Sequence, residues 1–162
     1  MKIVKALLLL LATALVLTVG VFSVLWLANA PQQFSDDSES YARLHQSNFT
    51  VGTTEIKYVD SARATPALGE FKGADSRTLE GTVWFPEGES TGHPFLVFSH
   101  GFGSYHKGSR HIAEHLARNG YIVAAVDYPL SHTRSPAGTP QLLDIANQPG
   151  DVSAVIDYML GQ

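Results

Sequence analysis

Phe95-Leu96-Val97-Phe98-Ser99-His100-Gly101-Phe102-Gly103 and, further on, Tyr121-Ile122-Val123-Ala124-Ala125-Val126-Asp127 are the two stretches that decide the fold. Each begins as a short uninterrupted apolar run, the pattern of a strand covered on both faces of a sheet. The first run breaks off at a loop carrying two glycines, the second at Asp127-Tyr128-Pro129. Between them, from about Ser109 to Asn119, Ile112, Ala113, Leu116 and Ala117 recur at helical spacing. That spacing turns Ile112 and Leu116 inward and His111, His115 and Arg118 towards solvent. Gly120 is the expected helix stop. Strand, loop, helix and strand in this order predict an α/β unit with parallel strands.

Working outward, Thr54–Asp60 alternates as a half-exposed strand, and Leu79–Phe85 is a second strand stopped by Pro86. Residues 61–78 and 87–94 read as loop and turn, and a long Pro- and Gly-containing loop runs from Leu130 to about Pro149. Asp151 is the expected N-cap of a last helix whose apolar face is Val152, Val155, Ile156 and Met159. The expected fold class is therefore α/β, with about four strands and two or three helices.

The N-terminus has a different character. Lys2 and Lys5 precede an uncharged run from Ala6 to Ala28, dominated by Leu and Val. As a helix that run extends roughly 34 Å, enough to cross a hydrocarbon core. Basic residues before it and Asp36, Asp37 and Glu39 after it place the N-terminus in the cytoplasm and the remainder across the membrane. A cleaved leader is the rival, with Ala28-Asn29-Ala30 as its small-x-small site. Pro31 just after that site, and the length of the run, favour an uncleaved anchor. The domain is membrane-anchored on the non-cytoplasmic side in one case and secreted in the other. The organisation expected is thus a signal anchor or signal peptide over 1–30, a polar tether over 31–49 and an α/β domain over 50–162. Asn48-Phe49-Thr50 fits a glycosylation sequon, a triplet common by chance.

Composition narrows the function classes. With 162 residues there is room for one ordinary domain beyond the apolar segment. A formal net charge of −4 and 16% charged residues give no basic surface for nucleic acid. The chain has no cysteine, which excludes disulfides, thiolate metal sites, a cysteine nucleophile and a lipidated cysteine after the leader.

The loop at His100-Gly101-Phe102-Gly103 suits one kind of chemistry. Ester hydrolysis passes through a tetrahedral oxyanion that needs backbone N–H donors. A glycine-bearing loop leaving the C-terminal end of a buried strand supplies one beside the substrate. Taken with the following helix and Tyr121–Asp127, the loop resembles that of an α/β-hydrolase. The branch it resembles is that of the platelet-activating-factor acetylhydrolase-like and dienelactone-hydrolase-like enzymes. Asp60-Ser61-Ala62-Arg63, Val83-Trp84-Phe85-Pro86 and Asn147-Gln148-Pro149-Gly150-Asp151-Val152 agree with it, so the resemblance covers residues 50–162. It implies a carboxylic ester hydrolase acting on small-molecule or lipid esters, without a cofactor. It also implies that the Phe102 N–H is the oxyanion donor, with His100 bracing the loop of Gly101 and Gly103 rather than acting as base.

The same resemblance implies a nucleophilic serine on a G-x-S-x-G elbow after the last helix. The nucleophile and the triad acid and base are accordingly expected beyond Gln162, which makes the chain the front part of an esterase. Gly88-Glu89-Ser90-Thr91-Gly92 matches the elbow pattern, but it stands in a turn, leads into a strand and precedes the oxyanion loop. An improvised triad of Ser99 or Ser104, Asp127 and His132 is disfavoured by the loop position of His132. His111-Ile112-Ala113-Glu114-His115 fits H-x-x-E-H, but no glutamate follows Glu114 to complete a zinc site. From another class, the alternative is a catalytically dead, membrane-tethered binding module.

Overall fold

The computed structural model describes residues 2–30, 35–88 and 92–161. Pro31 and the centre of the Gly88–Gly92 elbow match, Ser90 included, lie outside them. The chain divides into two units, residues 1–45 and 46–162. The first contains helix α1, Lys2–Ala28, and a short helix α2, Glu39–His45. Within α1, Ile3–Ala28 is long and apolar enough to cross a membrane, and it equally fits a signal sequence. Helix α2 lies within the stretch 31–49 that reads as a polar tether. The Ser38 hydroxyl accepts the Tyr41 N–H at its start, and Arg43 pairs with Glu39 one turn earlier.

The second unit is a four-stranded sheet with a helix on each face. Strands β1 (Val51–Asp60), β2 (Arg77–Pro86), β3 (Phe95–Phe98) and β4 (Ile122–Asp127) lie in the order β1-β2-β4-β3. Helix α3 spans Arg110–Arg118 and α4 spans Gln148–Leu160, the latter preceded by a 3-10 helix over Leu142–Asn147. β3 and β4 are parallel, as expected of strands joined through a helix, whereas β2 runs antiparallel to both β1 and β4. The sheet is therefore mixed. Hydrophobic periodicity reports which face a side chain takes and is blind to strand direction.

Alternation along the central strands builds two cores. Leu79, Val83, Ala124, Val126 and Tyr128 pack with Val155 of α4 on one face. Trp84, Val123 and Ala125 pack with Ala113 and Ala117 of α3 on the other. β4 is covered on both faces as its sequence indicates, but β3 pairs with β4 alone among the described residues, and Leu96 is exposed. On α3 the innermost positions are the two alanines, so Ile112 turns outward instead of inward. Asp151 is also placed differently from its expected role. Asn147 precedes α4, and Asp151 lies fully buried in its first turn against Arg77.

Candidate oxyanion loop and its surroundings

The loop after β3 opens at the C-terminal ends of the two parallel strands, where a parallel α/β sheet presents ligand sites. His100 is buried, and both ring nitrogens are engaged by backbone. Nδ1 lies 2.9 Å from the Gly101 carbonyl, and Nε2 faces the Tyr128 N–H at 3.5 Å. With the proton on Nδ1, the ring donates to Gly101 and accepts from Tyr128, which ties the loop to the end of β4. The Tyr128 hydroxyl donates to Ser99 Oγ at 2.5 Å, and burial pushes that phenol above its ordinary value against the pull of the Ser99 bond.

Two further backbone bonds stitch the loop to the segment after β4. Gly103 N–H donates to the Ser131 carbonyl at 2.9 Å, and Thr133 N–H donates to the Ser104 carbonyl at 2.7 Å. Gly103 has φ +70°, a left-handed conformation that glycine adopts without strain. A Cβ at Gly101 would meet no protein atom within 4 Å, so that side of the loop is open. The N–H groups of Gly101 and Phe102 have no acceptor among the described residues, while Gly103 and Ser104 use theirs internally. The Phe102 ring stands exposed.

Asp127, ending β4, forms the hub on which this loop and the next meet. Its Oδ1 accepts the His106 backbone N–H at 2.6 Å. The His106 ring Nδ1 lies 3.0 Å from the same oxygen but out of line for a hydrogen bond, and both its ring nitrogens are buried without a partner. His132 Nδ1 approaches Oδ2 at 3.5 Å, and His100 Nε2 lies 3.9 Å from Oδ1. Burial holds His132 below the ordinary imidazole value, opposed by the Asp127 charge. Asp127 and His132 also line a cleft of about 290 Å³ with Phe71, Thr78, Glu80 and Leu130. Phe102 does not line it.

The other sequence-derived candidates are not brought together. Ser99 is held by Tyr128, and no serine is hydrogen-bonded to a histidine ring among the described residues, so Ser99, Ser104, Asp127 and His132 do not form a triad. His111 is exposed, and Glu114 pairs with Arg110. No three His, Asp or Glu side chains among the described residues cluster to hold a metal ion.

Residues 32–148 match the family described as platelet-activating factor acetylhydrolase, isoform II. The chain belongs to this family. Among solved structures, a ferulic acid esterase from Streptomyces cinnamoneus superposes with a TM-score of 0.50 at 22% identity, over 70% of this chain and 48% of that one. At that identity the likeness is one of fold, and it supports the α/β-hydrolase architecture. A hypothetical protein from Pseudomonas aeruginosa matches with a TM-score of 0.35 at 17% identity, over 62% of this chain and 27% of that one. No curated protein matches. The chain spans about half the length of the solved esterase.

Proposed function

We propose that this chain contributes the oxyanion loop of an exported serine hydrolase acting on carboxylic esters, short acyl or phospholipid-derived. The donor is the Phe102 N–H, and Phe102, Gly101 and Gly103 flank the acyl carbonyl. The observation that carries this is a Phe102 N–H without an acceptor among the described residues, on a loop held from three directions, by His100, by Ser131 and by Thr133. Preorganised donors of this kind stabilise a developing oxyanion without reorganising during the reaction. Family membership and the esterase-like fold support the reaction class.

In this reading a serine outside the described residues attacks the ester carbonyl, and the leaving alkoxide departs with a proton from the histidine that activated that serine. Water then hydrolyses the acyl-enzyme through the same oxyanion site. His100 positions the loop, since its nitrogens are engaged by backbone. The domain is carried to the non-cytoplasmic side by the apolar helix α1, retained as an anchor or cleaved as a leader.

A fluorophosphonate probe tests the reaction class on the polypeptide isolated from its native source. Covalent labelling that tracks loss of nitrophenyl acetate hydrolysis is the expected result. Absence of both in a folded, membrane-associated protein overturns the reading in favour of a binding module.

A further inference from the structure

The cleft of about 290 Å³ bounded by Asp127 and His132 combines acidic and apolar lining. Phe71, Leu130 and Pro136 supply apolar surface, Glu80 and Asp127 supply charge, and no lysine or arginine among the described residues lines it. Glu80 and Asp127 are direct partners across β2 and β4. Two carboxylates opposite each other in a strand pair repel unless a cation lies near both. Lys57 engages Glu80 Oε1 at 2.6 Å from β1, without lining the cleft, and no lysine or arginine pairs with Asp127 among the described residues.

The cleft also holds hydrogen-bonding capacity that the fold leaves unused. Asp127 Oδ1 accepts the His106 N–H, but Oδ2 receives no donor among the described residues. His132 Nδ1 lies 3.5 Å from that Oδ2, buried and without a hydrogen-bond partner. Burial keeps the His132 ring neutral near pH 7, and with its proton on Nε2 the ring offers a lone pair at Nδ1. Two adjacent unpaired acceptors, one of them charged, call for a cation with N–H donors. The acidic and histidine side chains do not cluster closely enough to hold a metal ion, so the fitting cation is organic. Its non-polar part has the Phe71 ring, Leu130 and Pro136 to pack against. Phe71 is itself set in place by the backbone pairing of its loop with Leu68.

We infer that this cleft binds the primary ammonium group of a small apolar amine, which donates to Asp127 Oδ2 and His132 Nδ1 beside the Glu80 carboxylate. Amine binding is read without turnover, so it goes beyond the ester-hydrolase reading and does not rest on it. The probe is 2-phenylethylamine as its hydrochloride, with 2-phenylethanol as the uncharged counterpart of nearly the same shape.

The full chain, labelled with 15N-histidine in phosphatidylcholine nanodiscs, is titrated with each compound at constant pH while the His132 ring nitrogens are followed by NMR. The amine is expected to shift the His132 resonances saturably at millimolar concentration, and the alcohol to shift them far less. Glu80→Gln is expected to weaken the amine by roughly two- to fivefold, since Glu80 stands half in solvent. Asp127→Asn should weaken it by roughly five- to tenfold, with alcohol binding unchanged. Equal shifts with amine and alcohol overturn the inference, as does the absence of a His132 response to the amine. Unchanged amine affinity in both variants overturns it too. So does an equal loss of amine and alcohol binding in Asp127→Asn with none in Glu80→Gln, because the cleft has then merely loosened.

Discussion

The Arg77 guanidinium grips Asp151 with two nitrogens, Nε to Oδ1 at 2.7 Å and Nη2 to Oδ2 at 2.6 Å, and reaches Asp144 with the third at 3.1 Å. All three side chains are buried, and the carboxylate hydrogen bonds raise the Arg77 pKa against the cost of burial. Asp151 also faces Arg63 Nη2 at 2.9 Å, and Asp144 Oδ2 accepts the Leu130 N–H at 3.0 Å. One buried network thus fixes the first strand-to-loop corner, the 3-10 helix and the start of α4 to one another. Arg77→Met leaves the buried Asp144 without a cation and Asp151 with Arg63 alone, and is expected to destabilise the domain by about 3–5 kcal/mol. Adding Asp144→Asn and Asp151→Asn should restore part of that loss. Denaturant melts of the three proteins check both statements.

His132 sets a pH dependence. Its folded pKa is depressed, chiefly by burial, so the unfolded chain takes up the proton more readily. The stability it contributes is present above the ordinary imidazole value of about 6.5 and is lost as pH falls through the folded value. The melting temperature is expected to drop between pH 7 and pH 5, and His132→Gln should flatten that drop. A pH series of melts in detergent on both proteins gives the comparison.

Asp127 positions the oxyanion loop through the His106 N–H. A hydrogen bond to a charged acceptor contributes roughly 1.5–3 kcal/mol, against about 0.5–1.5 kcal/mol for a neutral one. Asp127→Asn is therefore expected to speed hydrogen exchange across residues 101–106 by roughly five- to tenfold, leaving β2 unchanged. Exchange followed by mass spectrometry resolves the two segments.

Gly103→Ala isolates backbone conformation from packing. A Cβ there finds Pro140 at an ordinary 3.7 Å, so space is not the obstacle. The left-handed φ costs an alanine roughly 1–2 kcal/mol, and a thermal melt should show that loss alone. At Gly81 the obstacle is contact instead. A Cβ there would collide with the Ala125 carbonyl and Val126 backbone of β4, so Gly81→Ala should open the β2–β4 pairing and abolish the cooperative melt.

What was legible in the sequence was local. The run Tyr121–Val126 predicts β4, observed over Ile122–Asp127, Gly120 follows the end of α3, and the His100–Gly103 loop stands between a strand and a helix. The antiparallel setting of β2 was not legible, because alternation along Leu79–Phe85 is the same in either direction. Asp151 reads as an N-cap from sequence, since an acidic residue at a helix start fits that role. Its actual partner Arg77 lies 74 positions earlier, and only the folded sheet brings the two together. The gathering of His100, His106 and His132 on Asp127 was hidden for the same reason. Helical spacing sets His111 and His115 on one face of α3, whereas the convergent histidines come from two separate loops.

The central claim is that a backbone N–H at position 102 stabilises the oxyanion, and a pair of substitutions addresses it most directly. Phe102→Ala keeps that N–H and Phe102→Pro deletes it. The measurement is kcat for nitrophenyl acetate with the polypeptide from its native source, on variants shown by melting to retain the fold. Phe102→Pro is expected to lower kcat by roughly a hundred- to a thousandfold relative to Phe102→Ala. Equal kcat for the two folded variants would contradict the account.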